Sequence, residues 1–289
     1  MQEERRAPSR TPPSEVSRPS YPAGLDAGAD ATLTLPGPGV PPPRTRVTPD
    51  FSRINFDRLW SGREKVTAVE GAILSQVLAQ ELPGPALEIG SGSGRLVRYL
   101  TAWSRDLVVS DATLSFLCRQ EAYDPSGPAR VAANVYHLPF ADEVFAAATL
   151  IRVFGFLTDP GAALREVHRV LRARGLLILS FEPHPTVGSL IDDLKMGLAR
   201  PHAGTFRTMT FSREPTVPVR PTAYPAWSHT RAHLGRLAEA AGFALEREYP
   251  CGLEDLFVFR RLSVSFFLSL SQALTRMGGF PTRFVTLRK

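Results

Sequence analysis

Cysteine is nearly missing from this chain: 289 residues carry two, Cys118 and Cys251. They form no C-x-x-C pair and have no histidine at ligand spacing, which speaks against a disulfide framework and against a metal site. Long apolar runs are missing too. No stretch approaches the ~18 consecutive apolar residues of a membrane-spanning helix. The opening Met-Gln-Glu-Glu-Arg-Arg lacks the apolar core of a secretory signal, so the expectation is a reduced, cytoplasmic setting. A broad basic face is also lacking, despite a formal charge of +6. Residues 1–50 hold six basic and six acidic residues, and residues 51–259 hold 22 of each. The whole excess lies in Arg260, Arg261, Arg276, Arg283, Arg288 and Lys289. Charge so confined weighs against nucleic acid as a partner.

Residues 1–50 are crowded with proline, as in PSRTPPSEVSRPSYP and LPGPGVPPP, and have little apolar periodicity. Such a segment buries too little surface to offset its ordering entropy, so it reads as a disordered tail. The folded part is expected at 51–289.

There the pattern alternates. Apolar residues at Val66, Val69, Ile73, Val77 and Leu78 have helical spacing, and Pro83-Gly84-Pro85 breaks it. Strands are expected at 86–89, 107–109, 131–133, 145–151, 176–181 and 284–289. Helices are expected at 95–103, 113–121 and 160–171, the last with a proline at its start and Gly175 as its stop. Strands that are apolar throughout, alternating with helices, indicate a doubly wound α/β domain with a mostly parallel sheet covered on both faces.

The first strand runs straight into three alternate glycines: Glu88-Ile89-Gly90-Ser91-Gly92-Ser93-Gly94. Each glycine costs about 0.5–1 kcal/mol relative to alanine in a regular element, so three in five residues call for a tight turn or a close approach. Ligands of such sheets sit beyond the carboxyl ends of the strands, where this loop lies. The spacing is wrong for a dinucleotide, because G-x-G-x-x-G from Gly90 would need glycine where Arg95 stands. The phosphate loop G-x-x-x-x-G-K-[ST] is also missing. Asp111 follows the second strand, where a carboxylate can accept both hydroxyls of a ribose.

An acid followed by G-x-G-x-G, with this downstream aspartate, resembles the class I S-adenosylmethionine-dependent methyltransferases that act on small molecules. Three further segments resemble that family: Asn134 to Asp142 (NVYHLPFAD), Glu166 to Leu171 (EVHRVL) before Gly175, and His233 to Phe243 (HLGRLAEAAGF). The resemblance implies a Rossmann-like seven-stranded sheet and S-adenosylmethionine as cofactor, leaving S-adenosylhomocysteine as product. It implies that Gly90, Ser91, Gly92 and Gly94 carry the methionine and ribose parts, and that Glu88 supports the loop or the methionine amine. Asp111, with Ala112 beside it, would take the ribose. Asn134 and Val135 would meet the adenine, and the carbonyl region at Ile151 and Arg152 would face the amine. The sequence departs from the family pattern at Ala146, at Gly155-Phe156 and at Ala173-Arg174-Gly175.

A base for the acceptor must lie within about 3 Å of its proton; His137, Glu182 and His184 are candidates and none is singled out. Substrate choice is expected from a cap insertion at 183–228, with a helix at SLIDDLKMGL, and from a variable segment at 253–279. The apolar, arginine-flanked stretch within 260–279 reads as a helix on the sheet edge or as a surface for a membrane or lipid-like substrate. Trp60 to Lys65, ahead of the first helix, is expected either to fold over the cofactor or, through Trp60, to anchor that helix in the core. Two other readings stay open: methylation of RNA or protein, and a non-catalytic cofactor-binding or scaffold protein of the same fold.

Overall fold

Two largely apolar stretches, each with one polar residue (Glu88 and Thr149), become the inner strands, since a strand covered on both faces has no solvated side to keep polar. In the computed structural model these are β1 (Ala86–Ile89) and β4 (Phe145–Leu150), both buried throughout. The structure describes residues 51, 60–183, 205–211, 222–251, 263–266, 269 and 282–289. The proline-rich tail, His184, the SLIDDLKMGL segment and most of 253–279 lie outside the described residues.

Around the inner strands stand β2 (Leu107–Asp111), β3 (Ala129–Ala132), β5 (Leu171–Phe181), β8 (Ala244–Cys251) and β9 (Thr282–Arg288). Their order is β3-β2-β1-β4-β5-β9-β8. Strands β1 to β5 pair in parallel, while β9 runs antiparallel between β5 and β8. Strand order reverses between β1 and β4, and that is where a crevice opens in such a sheet.

Alternation along each strand splits the core in two. Leu87 and Ile89 join the layer under α4 (Pro160–Val170) and α5 (Arg231–Ala240), which contribute Leu164, Val167, Leu234 and Ala238. Ala86 joins the opposite layer under α1 (Glu64–Leu78) and α2 (Val97–Thr101), with Val69, Ile73, Val77 and Leu100. Fully burying one such side chain is worth about 1.5–3 kcal/mol. The helix α3 (Leu114–Tyr123) follows β2. Asp159 caps α4 by accepting from Ala162 N at 2.9 Å, with Pro160 in the first turn, and Thr230 caps α5 in the same way.

Three expectations are corrected. Gly175 does not stop α4: the helix ends at Val170 and β5 begins at Leu171. The register then slips, Phe145 pairing with Leu171 but Ala147 with Leu176, so that 172–174 bulge and Arg174 takes a positive φ of 61°. The helix expected over 95–103 is only five residues long. Within 183–228, where the sequence pointed to a helix and to no strand, β6 (Thr205–Phe211) and β7 (Thr222–Ser228) form an antiparallel pair. A bridge between Pro183 and His229 ties the end of this pair to the end of β5.

Candidate functional site

The glycine loop is held from below by its neighbours. Gly90 N and Ser91 N both donate to Ser110 O, at 2.8 and 3.1 Å. Gln120 on α3 donates through Nε2 to Ser91 Oγ (2.9 Å) and Gly92 O (2.7 Å). Gly90, Gly92 and Gly94 all have positive φ, at 73°, 56° and 77°. A Cβ on Gly90 would lie 2.3 Å from Val153 Cγ2, whereas one on Gly92 would meet no atom within 4 Å. Glycine is therefore required at 90 for packing, while at 92 it leaves space empty. Gly94 faces Gln120, which a Cβ there would approach to 3.0 Å.

Above the loop lies an open cleft with room for about 120 Å³ of solvent. Glu88, Gly90, Ser91, Gly92, Asp111, Ala112, Val135 and Ile151 line it, as the sequence led one to expect; Gly94 and Asn134 do not. Asn134 instead closes its own turn, Oδ1 accepting from Tyr136 N at 3.0 Å. Of the proposed bases, His137 is exposed and Glu182 half-buried, and neither lines the cleft.

Two acids dominate the electrostatics. Glu88 is buried and its Oε2 has no hydrogen-bond partner among the described residues. Burial pushes its carboxyl up to about 8, Arg95 opposing and Asp111 reinforcing the shift. Asp111 accepts from Gly92 N through Oδ2 (2.9 Å) and from Thr113 N through Oδ1 (2.8 Å). Burial raises its carboxyl as well, against those two bonds. Ionising an orphaned buried carboxyl is costly unless a cation completes it, and the Glu88 carboxyl lines the cleft. Phe116, Ala133 and Val135 offer an apolar slot on the Asp111 side. The far side is formed by Val153, Phe156 and Leu157, with Phe51 edge-on to Phe156 at 5.1 Å.

The α1 wall of the cleft is cationic. Glu70, fully buried, accepts from Arg152 Nε at 2.8 Å and pairs with Arg95 Nη1. Trp60 lies over the Arg95 guanidinium at 3.9 Å and 5.8 Å from that of Arg152. Both arginines and Trp60 line the cleft, whereas Glu70 does not. Sequence reasoning missed Glu70 and Arg95 as site residues; they are 25 positions apart, and Arg152 is 82 from Glu70. The only local signal was Trp60 at the head of α1.

The Glu166-x-x-Arg169 pair is structural. Arg169 donates to Leu138 O (3.0 Å), Phe140 O (2.7 Å) and Asp142 Oδ1 (2.7 Å), while Glu166 Oε1 accepts from Leu138 N (2.8 Å). Together they pin the segment whose Val135 lines the cleft.

Residues 87–179 match the family model described as "Methyltransferase domain". A demethylmenaquinone methyltransferase of Roseiflexus sp. is 31% identical over 137 residues, covering 44% of this chain and 53% of the relative. A malonyl-[acyl-carrier protein] O-methyltransferase of Pseudescherichia vulneris is 31% identical over 103 residues, covering 36% and 41%. The chain thus spans about half the length of the curated relatives it matches. Among solved structures, a Burkholderia thailandensis 1,6-didemethyltoxoflavin-N1-methyltransferase with bound 1,6-didemethyltoxoflavin and S-adenosylhomocysteine superposes with a TM-score of 0.52 at 16% identity, over 82% of this chain and 84% of that one. At that identity the likeness concerns the fold alone.

Proposed function

We propose that this chain, which carries a domain of the class I S-adenosylmethionine-dependent methyltransferase family, binds S-adenosylmethionine in the cleft and transfers its methyl group to a small-molecule acceptor. The observation that carries this reading is the buried, unpartnered Glu88 carboxylate beside a glycine loop at the β1/β4 reversal. The residues present suit the cofactor. Glu88 would face its cationic amino-acid end, Asp111 its ribose hydroxyls, and Val135 and Phe116 its adenine, and the empty space above Gly92 would admit its body. When bound, the cofactor supplies an electrophilic methyl on a sulfonium, already activated for displacement.

The chain's part is to orient. Gln120 and Ser110 fix the loop, and Ile151 with the turn at Val153 to Leu157 lines the far side with apolar surface. Fixed orientation alone can supply on the order of 7–11 kcal/mol of a barrier. The small-molecule class is supported by the apolar side chains of Val153, Phe156 and Leu157 on the far side of the cleft and by the balanced charge of residues 1–259. No helix among the described residues is long and apolar enough to cross a membrane. The test is incubation of the full chain with methyl-labelled cofactor and separate pools of metabolites, RNA and protein. Label is expected in the small-molecule pool; label in RNA or protein alone would overturn the acceptor class. Binding without any transfer would leave a silent cofactor-binding protein.

A further inference from the structure

Two buried polar groups of the inner strands lack a partner, and the sheet register sets them side by side. Glu88 on β1 pairs with Thr149 on β4. Paired residues of neighbouring strands point to one face, and the strands run about 4.7–4.9 Å apart. That face is the α1 side: Ala86 and Ala147, two positions before each, belong to the α1 layer, while Leu87 and Ala148 between them belong to the other. Glu88 is 4% exposed and Thr149 2%. Neither Glu88 Oε2 nor Thr149 Oγ1 has a hydrogen-bond partner among the described residues.

Across the strands, each is the other's polar neighbour. On its opposite side Glu88 pairs with Val109, and Thr149 with Ile178, neither of which can bond to it through its side chain. From α1, Glu70 is engaged by Arg95 and Arg152. Valine would fill the place of Thr149 without leaving a buried hydroxyl unpaired, so the hydroxyl calls for an explanation. It suits a titrating neighbour, because it can accept from a neutral carboxyl and donate to an ionised one. The second bond is the stronger, being charge-assisted. Thr149 does not line the cleft, whereas Glu88 does. Any influence of the hydroxyl on a ligand therefore passes through Glu88.

We propose that Thr149 is a positioning residue for Glu88: its hydroxyl donates to the Glu88 carboxylate, directly or through one water, as that group ionises against a ligand's cation. The ligand's identity rests on the cofactor reading above; the pairing itself rests on the sheet register. Burial holds the Glu88 carboxyl up at about 8, with Arg95 opposing and Asp111 reinforcing the shift. The hydroxyl acts in the same direction as Arg95, since a hydrogen bond to the charged form favours loss of the proton.

The experiment follows the Glu88 carboxyl by carbon-13 NMR in the ligand-free full chain labelled at glutamate, with Glu88→Gln identifying the signal. Thr149→Val should raise the titration midpoint by about one pH unit, the tenfold scale of one hydrogen bond to a charged group. Thr149→Ser, which keeps the hydroxyl, should stay at the wild-type midpoint. Thr149→Ala also removes the hydroxyl and gives the same reading should the valine variant fail to fold. In a second arm, calorimetry with S-adenosylhomocysteine should show Thr149→Val binding about tenfold more weakly at pH 7, the gap narrowing as the pH passes the Glu88 midpoint. A midpoint unchanged or lowered in the hydroxyl-free variants overturns the proposal, as does a loss of affinity equal at every pH, which is the mark of packing alone. A raised midpoint in a protein that binds no S-adenosylhomocysteine keeps the Glu88–Thr149 pair and overturns the cofactor reading instead.

Discussion

Replacing Glu88 with glutamine should make the protein more stable and less able to bind. In the folded chain the carboxyl is held at about 8 instead of near 4.5, chiefly by burial. Moving a pKa by one pH unit corresponds to about 1.4 kcal/mol, so at pH 7 folding forgoes about 3 kcal/mol of ionisation at this one group, taken as a ceiling. The native state keeps a proton that the unfolded chain has released, so stability falls as pH climbs from about 4.5 to about 8. Glutamine keeps the shape and removes the titration, but its buried amide needs partners of its own. A net gain of about 1–2 kcal/mol is therefore expected near pH 8, a rise in Tm of roughly 2–6 °C for a domain of this size. The gain should shrink towards pH 5. The same substitution removes the charge opposite the ligand's cation and should weaken S-adenosylhomocysteine binding by about 10–100-fold. Thermal melts at pH 5 and pH 8, paired with calorimetry, check both halves. A variant less stable than wild type by the same amount at both values would overturn this expectation, because it would show a carboxylate already ionised and paired in the fold.

The two lining glycines should separate stability from binding. Gly90→Ala drives a methyl into Val153 and should cost about 2–4 kcal/mol by chemical denaturation. Gly92→Ala should cost only about 1 kcal/mol for its positive φ yet lower cofactor affinity at least about tenfold by filling the cleft; equal stability losses at the two positions would contradict this. Asp111→Ala strips the partners from Gly92 N and Thr113 N. It should therefore destabilise by about 2–3 kcal/mol as well as weaken binding roughly tenfold, and unchanged affinity would misplace the ribose. His229 is buried against Phe154, and burial together with His233 pushes its imidazole down to about 3. The unfolded chain takes up that proton first, so wild-type stability should fall as pH drops below about 6.5, by up to about 1.4 kcal/mol per pH unit. His229→Gln should flatten this acid slope, and parallel slopes would show that His229 is not its source.

What the sequence revealed was what lies close along the chain. The glycine loop, Glu88, Asp111, Val135 and Ile151 each follow a strand end, and strand ends are marked by local apolar runs. Local pattern was weaker on what each residue does. Gly94 resembles a ligand-facing glycine but makes room for Gln120, 26 positions on, and Asn134 spends its side-chain oxygen on its own turn. The Glu166–Arg169 pair reads as a motif, yet its work of pinning Leu138 to Asp142 appears only once the chain has folded back on itself. The Arg95–Glu70–Arg152 cluster spans three elements and no spacing rule joins them. The β6–β7 pair was missed because Pro225 interrupts the strand pattern and its partner lies in a polar stretch. The start of β5 was misplaced because Leu171 serves α4's apolar spacing and the strand equally well.

Whether the cleft holds the cofactor against Glu88 is decided by titrating S-adenosylhomocysteine into the full chain at pH 7, in two buffers of different ionisation enthalpy. Micromolar binding is expected, with release of up to one proton as Glu88 gives up its proton beside the ligand's ammonium. A folded protein that shows no binding, or that binds with no proton released, would contradict that role for Glu88 and the cleft.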